Sequence, residues 1–183
     1  ILRVPSLGMG LTDRIWVVKE TSRRSISFQT DLGAGRSVVR RYDLPDEGYQ
    51  LTTTILFEGS WPAATDVYYE FLGANRIRYD QSSRAIYPNQ WVSTPQAAGG
   101  SVGKPERGEV EAIESGEIRK DGVAWGALES NYFAQVIRPL PGANGKSPSA
   151  GLLVRGARPG EREAEYALLT ESGLQGWPLR VGF

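Results

Sequence analysis

The sequence predicts an all-β protein built from antiparallel sheets, with at most one or two short helices. Short runs rich in Val, Ile, Thr and aromatic residues recur along the 183-residue chain, bounded by Gly, Pro, Asp and Asn. The 22 Gly and 11 Pro suit a turn-rich sheet protein and would be costly in helices. No stretch keeps a 3.6-residue apolar period over three turns. We therefore expect a β-sandwich, or something larger of that kind, as a single domain over residues 1–183.

Ten segments carry the strand pattern. The run Tyr49–Glu58 is dense in β-branched residues, and Ser25–Gln29 alternates apolar and polar side chains. The predicted strands in chain order are Arg14–Lys19, Ser25–Gln29, Ser37–Tyr42, Tyr49–Glu58, Asp66–Leu72, Gly122–Glu129, Tyr132–Arg138, Gly151–Arg155, Ala164–Thr170 and the last residues from Leu179.

The remaining segments are too polar or too small to form a core. We predict loops at Ser93–Gly108, Pro139–Ala150 and Arg155–Glu163, because these stretches are rich in Gly, Pro, Ser and charged residues. The best helix candidate is Glu106–Lys120, although it contains two glycines and few apolar residues.

The composition excludes several kinds of chemistry. Lysine and arginine number 21 and so do aspartate and glutamate, so no basic excess draws the chain toward nucleic acid or an anionic membrane. There is no Cys, which removes thiol nucleophiles, disulfides and thiolate metal sites. There is no His, which removes imidazole metal ligands and the commonest general base. We therefore expect no metal site.

The ends of the chain suggest that it is a piece of a longer protein. It begins at Ile1 without an initiator Met and stops at Phe183 within a predicted strand. No run approaches the ~20 apolar residues that a membrane-spanning helix needs. We expect the chain to be truncated at both ends, and a membrane segment, if there is one, to lie elsewhere in the parent.

Two weak motifs favour ordinary turns or surfaces. Gly145-Lys146-Ser147 has the ending of a phosphate-binding loop, but Leu140 stands where that motif needs Gly and Pro148 follows at once. Acidic residues cluster at three places, where paired carboxylates could in principle cleave glycosides, but each cluster lies beside turn residues and basic neighbours. The clusters are Asp43, Asp46 and Glu47; Glu109, Glu111, Glu114 and Glu117; and Glu161, Glu163 and Glu165.

Three tryptophans are candidates for a ligand groove. Trp61, Trp91 and Trp177 each lie next to proline or turn residues, where an aromatic ring can face a ligand. Sugars stack on exposed aromatic faces, so a carbohydrate-binding cleft is a minority hypothesis.

A family resemblance begins at GVAWGALESNYFAQVIRP, residues Gly122–Pro139. This stretch resembles the signature of the large periplasmic domain of YidC-type membrane-protein insertases, in which a Trp-centred strand is followed by a Tyr-Phe-Ala strand and then Pro. The matching residues are Trp125, Tyr132, Phe133, Ala134 and Pro139. The blocks Val38–Gly59 and Asp66–Gly73 resemble the strands that precede this signature in the family.

The resemblance departs from the family at both ends. The family closes this domain with a strand running into Gly-Pro-Lys, whereas this chain stops at Phe183, and the family's opening strands are missing or shortened here. What matches, over about Thr21–Thr170, implies a β-supersandwich similar to galactose mutarotase. It also implies a periplasmic domain of a bacterial inner-membrane protein, whose membrane-embedded part lies outside this chain.

The resemblance further implies an interaction module without catalytic activity and without a cofactor. Its partners would be SecDF and other components of the Sec translocon, and nascent membrane proteins as possible substrates. The docking segment would lie just before the Trp strand, at about Val102–Lys120. Its candidate residues are Val102, Glu106, Arg107, Glu109, Glu111, Glu114, Glu117 and Lys120.

Two alternatives stay open. Sugar epimerisation in the mutarotase fold uses a His acid and a carboxylate base, and this chain has no His. We therefore expect that the chain is not an enzyme, while passive binding of a sugar or peptide in a cleft remains compatible with the composition. A carbohydrate-binding β-sandwich is thus the first alternative, and a carboxylate-driven sugar-active enzyme is the second.

Overall fold

The described residues of the protein contain fifteen β-strands in a computed structural model. The structure describes residues 2–4, 8–12, 14–62, 66–75, 90–96, 101–109, 113, 116–129, 134–141, 150–155, 165–173 and 179–182. The strands are β1 Leu2–Val4, β2 Met9–Gly10, β3 Val17–Thr21, β4 Ser25–Gly33, β5 Arg36–Asp43, β6 Thr52–Glu58, β7 Asp66–Asn75, β8 Gln90–Pro95, β9 Glu106–Glu109, β10 Glu117–Asp121, β11 Val123–Glu129, β12 Ala134–Leu140, β13 Ala150–Arg155, β14 Glu165–Gly173 and β15 Leu179–Gly182.

The strands form two sheets. The larger has nine strands in the order β3-β4-β5-β6-β15-β12-β11-β8-β9, and the smaller has six in the order β10-β13-β14-β7-β1-β2. The pairs whose registers are described are antiparallel. The described residues contain no helix, and thus none of the length and apolarity that a membrane crossing requires. The predicted all-β, antiparallel fold class is confirmed.

The ten predicted strands all coincide with strands of the structure, with shifted ends. The largest shift is at β4, which ends at Gly33 rather than Gln29. β6 begins at Thr52 rather than Tyr49 because residues 48–50 are exposed and lie outside the ladder. Two predictions are wrong. The helix candidate Glu106–Lys120 instead contains β9 and the start of β10, and the predicted loop Ser93–Gly108 contains the end of β8 and most of β9. These polar strands carry no apolar alternation, and their pairing with strands distant in sequence decides their conformation.

The chain forms two compact units, each assembled from segments distant in sequence. The first unit comprises Ile1–Tyr69, Pro139–Pro148 and Glu171–Phe183, and the second comprises Glu70–Arg138 and Ser149–Thr170.

In the first unit, the central feature is the meander β4-β5-β6. Val38 is opposite Phe57 and Arg40 is opposite Ile55 in the register of β5 and β6. Val38 and Ile55 are almost fully buried, so the face that carries them is the core face. Arg40 lies on the same face, where its guanidinium carbon is 4.8 Å from the centre of the Trp16 ring. Burial of this cation is thus compensated by an aromatic face.

The hairpin between β4 and β5 turns through Ala34 and Gly35. Gly33 pairs with Arg36, so the loop has two residues, and both have positive φ, 53° for Ala34 and 69° for Gly35. Positive φ at both central positions is the geometry of a type I′ turn, which follows the twist of the strands. Gly59, just after β6, also has a positive φ of 94°, and a Cβ there would collide with the carbonyl oxygen of Gly35. The chain after β6 therefore packs directly on this turn.

In the second unit, two layers of strands pack on each other. A Cβ placed on Gly126 in β11 would lie 2.8 Å from a methyl carbon of Leu152 in β13. Residues 150–154 of β13 are all buried, which agrees with the continuous apolar run in the sequence. Leu128 and Ile137, on β11 and β12, are also almost fully buried. The core of this unit thus lies between β11 and β13.

Candidate functional site

A cluster of charged and aromatic side chains surrounds Glu58, the last residue of β6. We call it the Glu58 cluster, and it consists of Lys19, Arg36, Ser37, Glu58 and Trp61. The Lys19 ammonium donates to both carboxylate oxygens of Glu58, at 2.7 and 2.9 Å. The Ser37 hydroxyl donates to Oε2 of the same carboxylate at 3.2 Å. The cluster thus holds one carboxylate with three hydrogen bonds from two side chains.

The Lys19–Glu58 ion pair spans two intervening strands of the sheet. Lys19 is in β3 and Glu58 is in β6, and the strands β4 and β5 lie between them. Neighbouring strands are spaced about 4.8 Å apart, so the two backbones would be roughly 14 Å apart in a flat sheet. Both side chains must therefore extend toward each other over the surface of β4 and β5. Their exposed fractions are 32% and 44%, so the pair is accessible to solvent.

The pKa of Glu58 is lowered from its ordinary value of 4.5. The main cause is the hydrogen bond from Lys19, opposed by partial burial and reinforced by the positive charge of Lys19 and the Ser37 hydrogen bond. Each of the favourable contacts stabilises the carboxylate over the carboxylic acid. Glu58 is therefore ionised at neutral pH, and it can accept hydrogen bonds from a ligand but is a weak general base.

Trp61 provides the aromatic surface of the cluster. Its indole N–H donates to the Glu58 carbonyl oxygen at 3.0 Å, and its ring meets the Phe57 ring edge to face at a centroid distance of 5.0 Å. The guanidinium carbon of Arg36 is 5.8 Å from the Trp61 ring centre. These contacts fix the ring, which is half-buried. Trp61 is thus the one sequence-predicted cleft aromatic that the structure places, partly exposed, among polar side chains in the described part of the chain.

Trp91 does not face a groove. It is 6% exposed and lies in β8, opposite Gly108 of β9 and Leu128 of β11. A Cβ on Gly108 would lie only 2.6 Å from the indole nitrogen of Trp91, so the ring covers the glycine directly. The Lys120 ammonium lies 5.6 Å from the centre of the ring. The expectation of a ligand-facing Trp91 is wrong, because pairing with β9 and β11 makes it a core residue. Trp177 lies outside the described residues.

The predicted docking segment forms a rim of two edge strands in the second unit. We call β9 and β10 together the β9–β10 rim. β9 is the last strand of the nine-stranded sheet and β10 is the first of the six-stranded sheet. The two are joined by an ion pair of 2.7 Å between Lys120 and Glu106. The rim therefore presents two strand edges, each with one described neighbour.

The charges of the rim are largely neutralised. Arg107 faces Glu129 at 3.7 Å, and Arg155 of β13 faces Glu117 at 3.5 Å. Glu109 is exposed and has no ion pair among the residues that the structure describes, and Val102, next to the rim, is 61% exposed. Glu111 and Glu114 lie outside the described residues. The described rim is thus mixed in charge; Glu109 is its exposed acidic side chain without an ion pair to a described residue, and Val102 is an exposed apolar side chain beside it.

The residues of the family resemblance occupy different environments. Trp125 is half-buried and lies at a register shift between β11 and β8. Ala134 is exposed at the start of β12, and Pro139 is buried near its end. Tyr132 and Phe133 lie outside the described residues. The described members lie on β11 and β12, which pair antiparallel.

Two members of the first acidic cluster of the sequence are ion-paired: Asp43, the last residue of β5, pairs with Arg41 at 2.9 Å, and Asp46 pairs with Arg24 at 2.6 Å. Glu161, Glu163 and the side chain of Glu165 lie outside what the structure describes. Within the described residues, no three acidic side chains group as metal ligands do.

Sequence reasoning missed the Glu58 cluster. Its members come from three strands and the turn after β6, and only Trp61 stood out in the sequence. The local signal was an acidic residue at the end of a strong strand, followed by Gly and Trp within three residues. That signal cannot show that Lys19, 39 positions earlier, reaches the carboxylate.

Comparisons with known proteins identify similar solved structures but no related family or curated protein. No family model matches the chain, and no curated protein matches it. A crystal structure from Escherichia coli K12, provisionally described as an aldose 1-epimerase, is 12% identical with a TM-score of 0.44, covering 91% of this chain and 67% of its own. A galactose mutarotase related enzyme from Lactobacillus acidophilus is 6% identical with a TM-score of 0.46, covering 91% of this chain and 70% of its own.

These two descriptions correct one expectation. Both similar structures are described as sugar enzymes, so the prediction that the chain is not an enzyme is contradicted and is withdrawn. Their descriptions agree with the predicted mutarotase-like fold type. At these identities and TM-scores, they carry no argument for a particular reaction or site residue in this chain.

Proposed function

We propose that the chain is the large periplasmic domain of a YidC-type membrane-protein insertase and serves as an interaction module. In this role it docks on SecDF, beside the Sec translocon, at the periplasmic face of a bacterial inner membrane. It also meets nascent membrane proteins there. The docking surface is the β9–β10 rim with Val102 beside it.

The family part of this proposal is supported by the positions of the resembling blocks. The block Gly122–Pro139 coincides with β11 and most of β12, which pair through Gly126 and Ile137. The block Val38–Gly59 contains most of β5 and all of β6, which also pair. Each resembling block therefore falls on two paired strands, as expected for a sheet shared with the family.

The docking part is supported by the β9–β10 rim. The observation that carries the proposal is that the segment predicted for docking supplies two strand edges. Glu109 is exposed there and makes no ion pair with a described residue, and the Val102 side chain is 61% exposed. Edge strands have backbone N–H and C=O groups on one side that a partner strand can pair with. Mixed charges around these edges favour one strand register and one partner more than they raise the affinity of binding.

The test is a binding titration between this chain and the purified periplasmic part of SecDF. We expect Val102→Asp combined with Glu109→Lys to weaken binding at least about tenfold, which corresponds to about 1.4 kcal/mol. The matched control combines Val136→Asp on β12, where the side chain is 39% exposed, with Glu47→Lys on the exposed β5–β6 connection. Absence of binding by the unaltered chain, or equal loss in the control, would contradict the docking proposal.

A carbohydrate-binding role is the second candidate, and the Glu58 cluster favours it. A half-buried tryptophan beside a carboxylate, an ammonium, a guanidinium and a hydroxyl offers the aromatic face and the hydrogen-bonding groups that a sugar ring needs. Titration with hexoses and oligosaccharides, followed by tryptophan fluorescence and calorimetry, tests this role.

We expect Trp61→Ala to abolish sugar binding if the cluster is the site, whereas Tyr49→Ala, at a fully exposed ring outside the cluster, leaves it unchanged. Polarimetry of α-galactose with and without the chain adds a direct test of mutarotation. Binding that persists in Trp61→Ala would show that the cluster is not the site.

A further inference from the structure

Large apolar side chains are exposed on the edge strand β3 and just before it. β3 is the first strand of the nine-stranded sheet, and β4 is its one described neighbour. Ile15, Val17 and Val18 are 84%, 60% and 57% exposed. An apolar strand with a free edge is a template for pairing with another chain.

β3 has only part of the usual protection of such an edge, a bulge near its end. It contains no proline, and its one lysine, Lys19, is held by Glu58 across the sheet at 2.7 Å. The ammonium therefore extends over β4 and β5 and places no charge on the outer edge of β3. A bulge between Val18 and Glu20 limits regular pairing to the residues before Lys19.

The charges at the two ends of β3 are opposite in sign. Arg14 precedes the strand and Glu20 lies near its end, and neither has an ion pair with any residue that the structure describes. If two β3 strands pair antiparallel about Val17, the Arg14 end of each lies beside the Glu20 end of the other. Parallel pairing would place like charges together. The strand is thus complementary to a second copy of itself in one orientation.

We propose that two copies of this chain associate through β3, by antiparallel pairing centred on Val17. Val17 of one copy lies opposite Val17 of the other, and Trp16 of each copy lies opposite Val18 of the other. At the two flanks, the long side chain of Arg14 from one copy forms an ion pair with Glu20 from the other. Because only a few residues pair before the bulge, the buried area is small and the dimer dissociates at moderate concentration. This association is independent of the proposed function, since it uses neither the β9–β10 rim nor Trp61.

Sedimentation equilibrium of the 183-residue chain, at concentrations up to about 1 mM, tests the proposal. We expect concentration-dependent dimers that Val17→Lys abolishes, because it places two ammonium groups opposite each other. Val136→Lys, an exposed valine on the interior strand β12, is the matched control and should leave the dimer unchanged.

Exchanging the charges of Arg14 and Glu20 then distinguishes a dimer formed through β3 from a dimer formed through another surface. Arg14→Glu and Glu20→Arg should each weaken the dimer at least about tenfold, and the double exchange should restore it. All four side chains changed in these variants are exposed, and far-UV circular dichroism verifies folding. A monomer at every concentration, a dimer that survives Val17→Lys, or no recovery in the double exchange would overturn the proposal.

Discussion

The Lys19 ammonium lies 2.7 Å from a carboxylate oxygen of Glu58, although two strands separate the strands that carry them. This ion pair joins the edge strand β3 to the fourth strand of the sheet and holds the carboxylate of the Glu58 cluster. The same contact withdraws the one lysine of β3 from the sheet edge. One ion pair thus shapes both the candidate sugar site and the proposed dimer edge.

Glu58→Gln should destabilise the chain modestly at neutral pH. The folded state lowers the pKa of Glu58, mainly through the Lys19 hydrogen bond, so its stabilisation is present above the ordinary value of 4.5 and is lost as pH falls through the lower folded value. Because both side chains are about a third or more exposed, we expect a cost below about 1 kcal/mol.

Urea unfolding of the unaltered chain and of Glu58→Gln, at pH 7 and at about pH 3, measures this effect. The difference between the two should shrink at the lower pH. Glu47→Gln is the control, since Glu47 is exposed and has no ion pair among the described residues. A difference that stays constant with pH would show that the carboxylate charge is not its cause.

Gly59→Ala should be strongly destabilising. Its φ of 94° is unfavourable for alanine, and the added Cβ would collide with the Gly35 carbonyl oxygen, which is backbone and cannot rotate away. We expect a loss of at least about 3 kcal/mol, measured by chemical unfolding.

Gly48→Ala isolates the contribution of the dihedral angle to that loss. Gly48 has a similar φ of 89°, but nothing lies within 4 Å of its Cβ position. We expect this variant to lose only about 1–2 kcal/mol. Equal losses in the two variants would mean that the contact with the β4–β5 turn contributes nothing.

Gly108→Ala should disturb the core of the second unit. The added Cβ would lie 2.6 Å from the Trp91 ring, which is 6% exposed and has little room to move. We expect a cost of about 1–3 kcal/mol and a shift in tryptophan fluorescence. Gly10→Ala is the control, because Gly10 has open space at its Cβ position. Unchanged stability and fluorescence in Gly108→Ala would contradict the observed packing of Trp91.

Ala34→Asn should stabilise the chain. Ala34 adopts a φ of 53°, which costs alanine about 1 kcal/mol and which asparagine tolerates in two-residue hairpins. We expect a gain of about 0.5–1 kcal/mol, seen as a rise of roughly 2 °C in the thermal midpoint. Ala134→Asn, at an exposed strand position, should give no gain. A lower midpoint in Ala34→Asn would show that the turn is not strained.

The sequence predicted ten of the described strands and missed β1, β2, β8, β9 and β10. Runs such as Ser37–Tyr42 and Gly151–Arg155 are strands in the structure because their β-branched residues favour the extended backbone and their faces are buried. Glu106–Lys120 is the best helix candidate in the sequence, yet β9 and β10 are strands, since β8 and β13 supply their hydrogen-bonding partners. A polar edge strand leaves no periodic signal of its own.

By itself, the sequence determined the all-β class, the positions of most apolar strands and the lack of thiol and imidazole groups in this chain, because these depend on composition and on neighbouring residues. The tertiary structure alone decided that Trp91 is buried, that Lys19 binds Glu58, and that β3 and the β9–β10 rim form sheet edges. Each of these features depends on strands far apart in the chain, and the order in which such strands pair is set by packing of the whole sheet rather than by local preference.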